Sequence, residues 1–100
     1  MKFSILISEA AYEDIKEAYK WYEKHRIGLS LDFELCLEGG YEDIRNNPTA
    51  FQIKYKNIRV KYIKRFPYGI HYIVNNDVIY VLAVFHTSKN PIKWVNRKTD

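Results

Sequence analysis

Residues 64–74 read K-R-F-P-Y-G-I-H-Y-I-V, and the order of the fold works outward from them. Proline cannot serve a strand interior, so Phe66-Pro67-Tyr68-Gly69 must turn the chain. Beyond the turn, G-I-H-Y-I-V alternates as a strand does. Asn75-Asn76-Asp77 then closes a hairpin onto V-I-Y-V-L-A-V-F-H, residues 78–86. Residues 78–85 are apolar on both faces, which predicts a central strand with helices over at least one side. Upstream, I-R-V-K-Y-I-K-R-F (58–66) points Ile58, Val60 and Tyr62 one way and Arg59, Lys61, Ile63 and Arg65 the other. F-Q-I-K-Y (51–55) is a short strand before a turn at Lys56-Asn57.

Upstream of residue 50 the period is helical. Ala11, Ile15, Ala18 and Tyr22 recur at spacings of three and four, with Tyr12 and Tyr19 widening the stripe. Ser8 offers an N-cap, and Glu9, Glu13 and Asp14 suit the positive end of that helix. Gly28 can take the left-handed conformation of a helix exit. A second helix runs from about Ser30 to Asn46, with Phe33, Leu37 and Ile44 on one face, until Asn47-Pro48 stops it. Gly39 or Gly40, each costly in a helix, would permit close approach to the first helix. Phe3, Ile5 and Ile7 alternate as a first strand. The order predicts one α+β domain over residues 1–100, in which an N-terminal strand and a helical hairpin pack on a small twisted antiparallel sheet.

Charge is divided unevenly. Residues 1–50 hold six Lys/Arg against ten Asp/Glu, and residues 51–100 hold ten against two, so the halves stand near −4 and +8. Such asymmetry predicts a basic face that meets phosphates or an acidic partner. Nine of the sixteen aromatic residues are Tyr, which suits a thin core whose rim meets a polar surface. The single cysteine, Cys36, fits a reducing cytoplasm. The four apolar residues among positions 3–7 are too few for a signal peptide or a membrane span, so a cytoplasmic location is expected.

Familiar chemistry is missing. There is no Gly-rich phosphate loop, no zinc spacing of Cys and His, and no G-x-S-x-G elbow, so no metal or cofactor is expected. What remains is cationic: Arg59, Lys61 and Arg65 on one strand face, then His86, Lys89 and Arg97 beyond the last strand. If the end of residues 78–85 lies near the strand holding Arg59, these form one shallow patch beside Tyr68 and Trp94. Arg59 has a structural alternative, pairing with a carboxylate of the helical hairpin, and Trp94 another, anchoring the tail. Such a patch could cleave RNA by 2′-hydroxyl attack, with His86 as acid or base and Arg59 stabilising charge. It could equally bind nucleic acid or protein with no bond broken.

The motifs together resemble one family. I-R...R-F-P-Y-G-I-H-Y-I-V, V-I-Y-V-L-A-V-F-H and N-P-x-x-W-x-x-R follow one another, after A-x-x-D-I and A-x-x-W-Y realised at residues 11–15 and 18–22. This is similar to the RelE/ParE superfamily of bacterial type II toxins, over nearly the whole chain. The resemblance implies a helical hairpin on a twisted antiparallel sheet, and an antitoxin encoded alongside, as in plasmid-stabilisation modules. That antitoxin would form a hetero-oligomer with the toxin, covering the helical hairpin and a sheet edge.

The superfamily has two branches. RelE-like members cut mRNA on the ribosome, whereas ParE-like members poison DNA gyrase. The F-P-Y turn and the H-x-x-K-x-P-x-x-W ending are closer to the ParE branch, although Lys89 stands where arginine is usual. Gyrase inhibition by binding is therefore the expected function. Ribosome-dependent mRNA cleavage is the first alternative, and a non-toxic nucleic-acid-binding module the second. The candidate target-binding residues are Arg59, Lys61, Arg65, Lys89, Trp94 and Arg97, and Arg59 with His86 would be catalytic in a ribonuclease.

Overall fold

In a computed structural model that describes residues 2–89, the chain runs β1 (Ser4–Ile7), α1 (Glu9–His25), α2 (Leu29–Asn46), β2 (Ile53–Tyr55), β3 (Ile58–Tyr62), β4 (Tyr68–Asn75) and β5 (Val78–His86). The five strands form one sheet in the order β1-β5-β4-β3-β2. β2 to β5 are antiparallel neighbours, and β1 joins them by pairing parallel to β5, Ser4 opposite Val78 and Ile7 opposite Val81. A parallel partner needs a crossover between strands, and the helical hairpin and the first three antiparallel strands supply it.

Both helices lie over one face of the sheet. The predicted stripe Ala11, Ile15, Ala18 and Tyr22 is buried on α1, and Phe33, Leu37, Tyr41 and Ile44 are buried on α2. Tyr12 departs from the expected stripe and is exposed. Against these faces the sheet buries Ile70, Tyr72, Ile79, Val81 and Val84. Each fully buried side chain of this size contributes roughly 1.5–3 kcal/mol. The turn at Pro67 belongs to the core as well. Phe66 and Tyr68 pack their rings on Tyr22 and Phe33, with centroids 4.9–6.0 Å apart in mostly edge-on geometry.

Local chemistry fixes the ends. Ser8 Oγ accepts the Ala11 N–H at 3.1 Å and donates to the Leu82 carbonyl at 3.3 Å. One cap therefore starts α1 and ties it to β5. Gly28 lies at φ 89°, where a side chain would be strained, and begins α2 with no side-chain cap of its own. Glu23 of α1 provides the acceptor instead, taking the N–H groups of Gly28 and Ser30 and the Ser30 hydroxyl. The close approach expected of the glycine pair is made to the sheet and not to α1. A Cβ on Gly40 would stand 2.8 Å from Ile70 Cδ1 and 3.1 Å from Ile63 Cγ2, whereas Gly39 faces open space. No described helix is long and apolar enough to cross a membrane.

One irregularity decides where the last strand points. His71 pairs with Ala83 but Tyr72 pairs with Val81, so Leu82 is an extra residue in β5. Such a bulge reverses the alternation beyond it. Ile79 and Val81 face the helices before it, Val84 and His86 after it. Without Leu82 as a spacer, Phe85 would face the helices and His86 the opposite side.

Candidate functional site

Arg59 stands in β3 opposite Tyr72 and is half-buried. Its Nη1 donates to the carbonyls of Phe51 at 2.7 Å and Thr49 at 3.1 Å. Tyr72 secures the same loop from below, its hydroxyl donating to the Pro48 carbonyl at 2.6 Å. Burial pushes the Tyr72 phenol up to about 12, with Arg59 pulling the other way. Arg59 is therefore a clamp on the segment between α2 and β2. The pairing with a hairpin carboxylate falls instead to its neighbour Lys61, whose Nζ lies 3.5 Å from Asp43 of α2 and 4.8 Å from the Phe51 ring centroid.

β3 ends at Tyr62, so Arg65 does not continue the row of Arg59 and Lys61. It takes a left-handed φ of 70° in the following turn. Its guanidinium lies 3.7 Å from Asp32, which Arg26 also approaches at 3.6 Å.

His86 occupies a different place. It lies opposite Tyr68, four positions along β4 from the partner of Arg59, and β4 itself runs between them. That is about 13 Å along the strand before the lateral step is added. The single patch expected to hold Arg59 and His86 is therefore corrected: register separates them, and the carbonyls of the 49–51 loop already occupy the guanidinium. His86 instead opens into a groove of about 790 Å³ between α1 and the end of β5. Its Nδ1 accepts hydrogen bonds from the N–H of Ser88 at 3.1 Å and the Ser88 hydroxyl at 2.8 Å. Its ring meets Tyr68 edge-on at 5.4 Å.

Burial, with minor contributions from Tyr22, Glu17 and Asp14, raises the Tyr68 phenol above its ordinary value. At neutral pH it is a proton donor and no base. Asp14 lines the groove too, and its Oδ2 accepts the Val84 N–H at 3.1 Å. Lys89 closes one side, its Nζ 4.6 Å from the Phe85 ring centroid. Trp94 and Arg97 lie outside the described residues.

The opposite lip comes from residues that strand alternation gave no reason to single out. Lys20, Trp21 and Lys24 of α1 line the groove with Pro67, His86 and Lys89. The signal was available in the i, i+4 spacing of Lys20 and Lys24 on the polar side of a helix whose apolar side was already assigned. Trp21 is exposed, with one face covered by His25 stacked at 3.7 Å. Among the described residues no group of three His, Cys, Asp or Glu side chains could hold a metal ion.

The model of a family described as the ParE toxin of type II toxin–antitoxin system, parDE, matches residues 5–91. In structure the chain is similar to one from the chromosomal ParDE TA system of P. aeruginosa. The TM-score is 0.74 at 16% identity, covering 84% of this chain and 95% of that one. At that identity the likeness is one of fold. No curated protein matches the sequence.

Proposed function

We infer the function from one premise: the chain belongs to the family of ParE toxins of type II toxin–antitoxin systems. It is the toxin of such a pair, and it acts by binding DNA gyrase rather than by cutting RNA. The supporting observation is the commitment of Arg59 and Lys61 to the fold. Cleavage by 2′-hydroxyl attack needs a base, an acid and a charge-stabilising cation within reach of one phosphate. Among the described residues, Arg59 is held by the Thr49 and Phe51 carbonyls, Lys61 by Asp43, and His86 stands at the far end of β4, so the cleaving pair of Arg59 and His86 expected from the sequence is not assembled. A binding surface has no such requirement. His86, Lys89 and the α1 lip, with Trp94 and Arg97, are its proposed contacts.

The antitoxin partner fits the helical hairpin, where Leu31 and Leu35 lie exposed one turn apart on α2 between acidic neighbours. Such a stripe suits an amphipathic segment with basic flanks. The proposed setting is the bacterial cytoplasm, and the toxin works without a cofactor.

Purified chain added to gyrase and relaxed plasmid should block supercoiling, and an equimolar antitoxin should restore it. Ribosomes programmed with mRNA in the presence of the chain should yield uncut message. Undisturbed supercoiling with codon-positioned cuts, lost in His86→Ala, would establish the nuclease instead.

A further inference from the structure

Six exposed cations collect at one end of the molecule. Three connections meet there: the α1–α2 link at residues 26–28, the β3–β4 turn at 63–67, and the turn after β5 at 87–89. The Thr87 N–H donates to the Pro67 carbonyl at 2.8 Å and binds the last two together. Arg26 and Arg65 join the first to the second through Asp32. Lys20, Lys24, Arg26, Lys64, Arg65 and Lys89 are all exposed on this pole. Its carboxylates, Glu23 and Asp32, are engaged by backbone N–H groups and by the two arginines. Among the described residues no carboxylate lies within ion-pair distance of Lys20, Lys24 or Lys64.

We propose that this pole binds the phosphate backbone of duplex DNA without reading sequence. Four of the six cations are lysines, point charges with no planar fork for a base edge, and the two guanidiniums share Asp32. The pole is therefore built for charge and not for readout. The groove below it does not suit a single strand, because Asp14 and Glu17 line it and would repel phosphate. Trp21, the exposed ring there, already has a face covered by His25, so a stacking platform for unpaired bases is poor. A duplex crosses the rim without entering the groove, and it presents one charge per about 1.7 Å of axis. The proposal goes beyond gyrase binding, since duplex affinity is measured without gyrase, and its failure would leave the toxin reading intact.

The test is fluorescence anisotropy of a labelled 20-base-pair duplex titrated with the full chain between 50 and 200 mM salt. Binding should be independent of sequence, with log K falling linearly against log salt by about 0.9 per phosphate contacted. Lys20→Gln/Lys24→Gln should lower that slope by about two and weaken binding at 100 mM salt on the order of fiftyfold, since each contact is worth nearly tenfold there. The charge-matched Lys2→Gln/Lys56→Gln, altered at the opposite end of the sheet, should bind as the parent does. Equal losses in the two variants, no binding at 50 mM salt, tighter binding of the single strand, or equal competition by polyglutamate would each overturn the proposal.

Discussion

Replacing Arg59 by alanine separates a structural clamp from a catalytic group. Two carbonyls lose their donor, at 2.7 Å for Phe51 and 3.1 Å for Thr49. The Thr49 contact is exposed, so water replaces it at little cost. The Phe51 contact is partly buried, and a hydrogen bond from a charged donor is worth about 1.5–3 kcal/mol there. Loosening the 47–52 loop also exposes the buried bond from Tyr72 to Pro48. A loss of about 2–3 kcal/mol follows. For a domain of this size that lowers the melting temperature by roughly 10–20 °C. Arg59→Lys should recover part of it, because both bonds come from the single nitrogen Nη1 and an ammonium carries enough donors for both but sits on a shorter stem. Urea and thermal unfolding by circular dichroism measure the change. If Arg59→Ala unfolds within about 0.5 kcal/mol of the parent yet abolishes toxicity, the guanidinium acts on the target and the clamp is refuted.

Further outcomes follow from single sites. Gly39→Ala fills open space within a helix and should raise stability by about 1 kcal/mol. Gly40→Ala meets Ile70 Cδ1 at 2.8 Å, and overpacking of about 1–3 kcal/mol should cancel or exceed the same gain; equal stabilisation of the two variants in urea would contradict the close approach. Among the described residues the Tyr41 hydroxyl is buried without a hydrogen-bond partner, and burial, with Glu38 nearby, raises its phenol well beyond the ordinary range. Tyr41→Phe should therefore raise the urea midpoint, by about 1 kcal/mol in free energy, and a lower midpoint would mean that the hydroxyl is paired. The Ser30 hydroxyl first, then the Gly28 N–H, hold the Glu23 carboxyl below its ordinary 4.5. The unfolded chain then binds the extra proton, so stability is full above pH 4.5 and declines as pH falls through the lower folded value. Glu23→Gln should flatten that part of the acid unfolding profile, and an unchanged profile would remove the cap from the account.

The elements were legible because they obey short-range rules. The spacing of Ala11, Ile15, Ala18 and Tyr22, the cap at Ser8, the left-handed Gly28 (which opens α2 instead of closing α1) and the turn at Pro67 each follow from a few neighbouring residues. The β-hairpin of residues 68–86 and the central position of its second strand follow from alternation and a two-sided apolar run. Register is another matter. Nothing local marks Leu82 as the extra residue that turns His86 toward α1, since Val, Leu and Ala follow one another there without a break in polarity. The parallel pairing of β1 is equally silent, because Phe3, Ile5 and Ile7 would alternate in either direction. The misplaced patch has the same origin. Arg59 looks free in sequence because its partners are backbone carbonyls, which every residue carries and none advertises. Lys20 and Lys24 were visible but lay in a helix whose interest seemed exhausted by its apolar face.

The seating of β1 beside β5 also sets a clock on synthesis. Ser8 and its partner Leu82 stand 74 positions apart, and at about 5–20 residues per second a ribosome needs roughly four to fifteen seconds to make the second after the first. Until then the helical hairpin has no platform, and the pole that needs the turn after β5 does not exist. The sheet and the packing of both helices therefore wait on the last strand described.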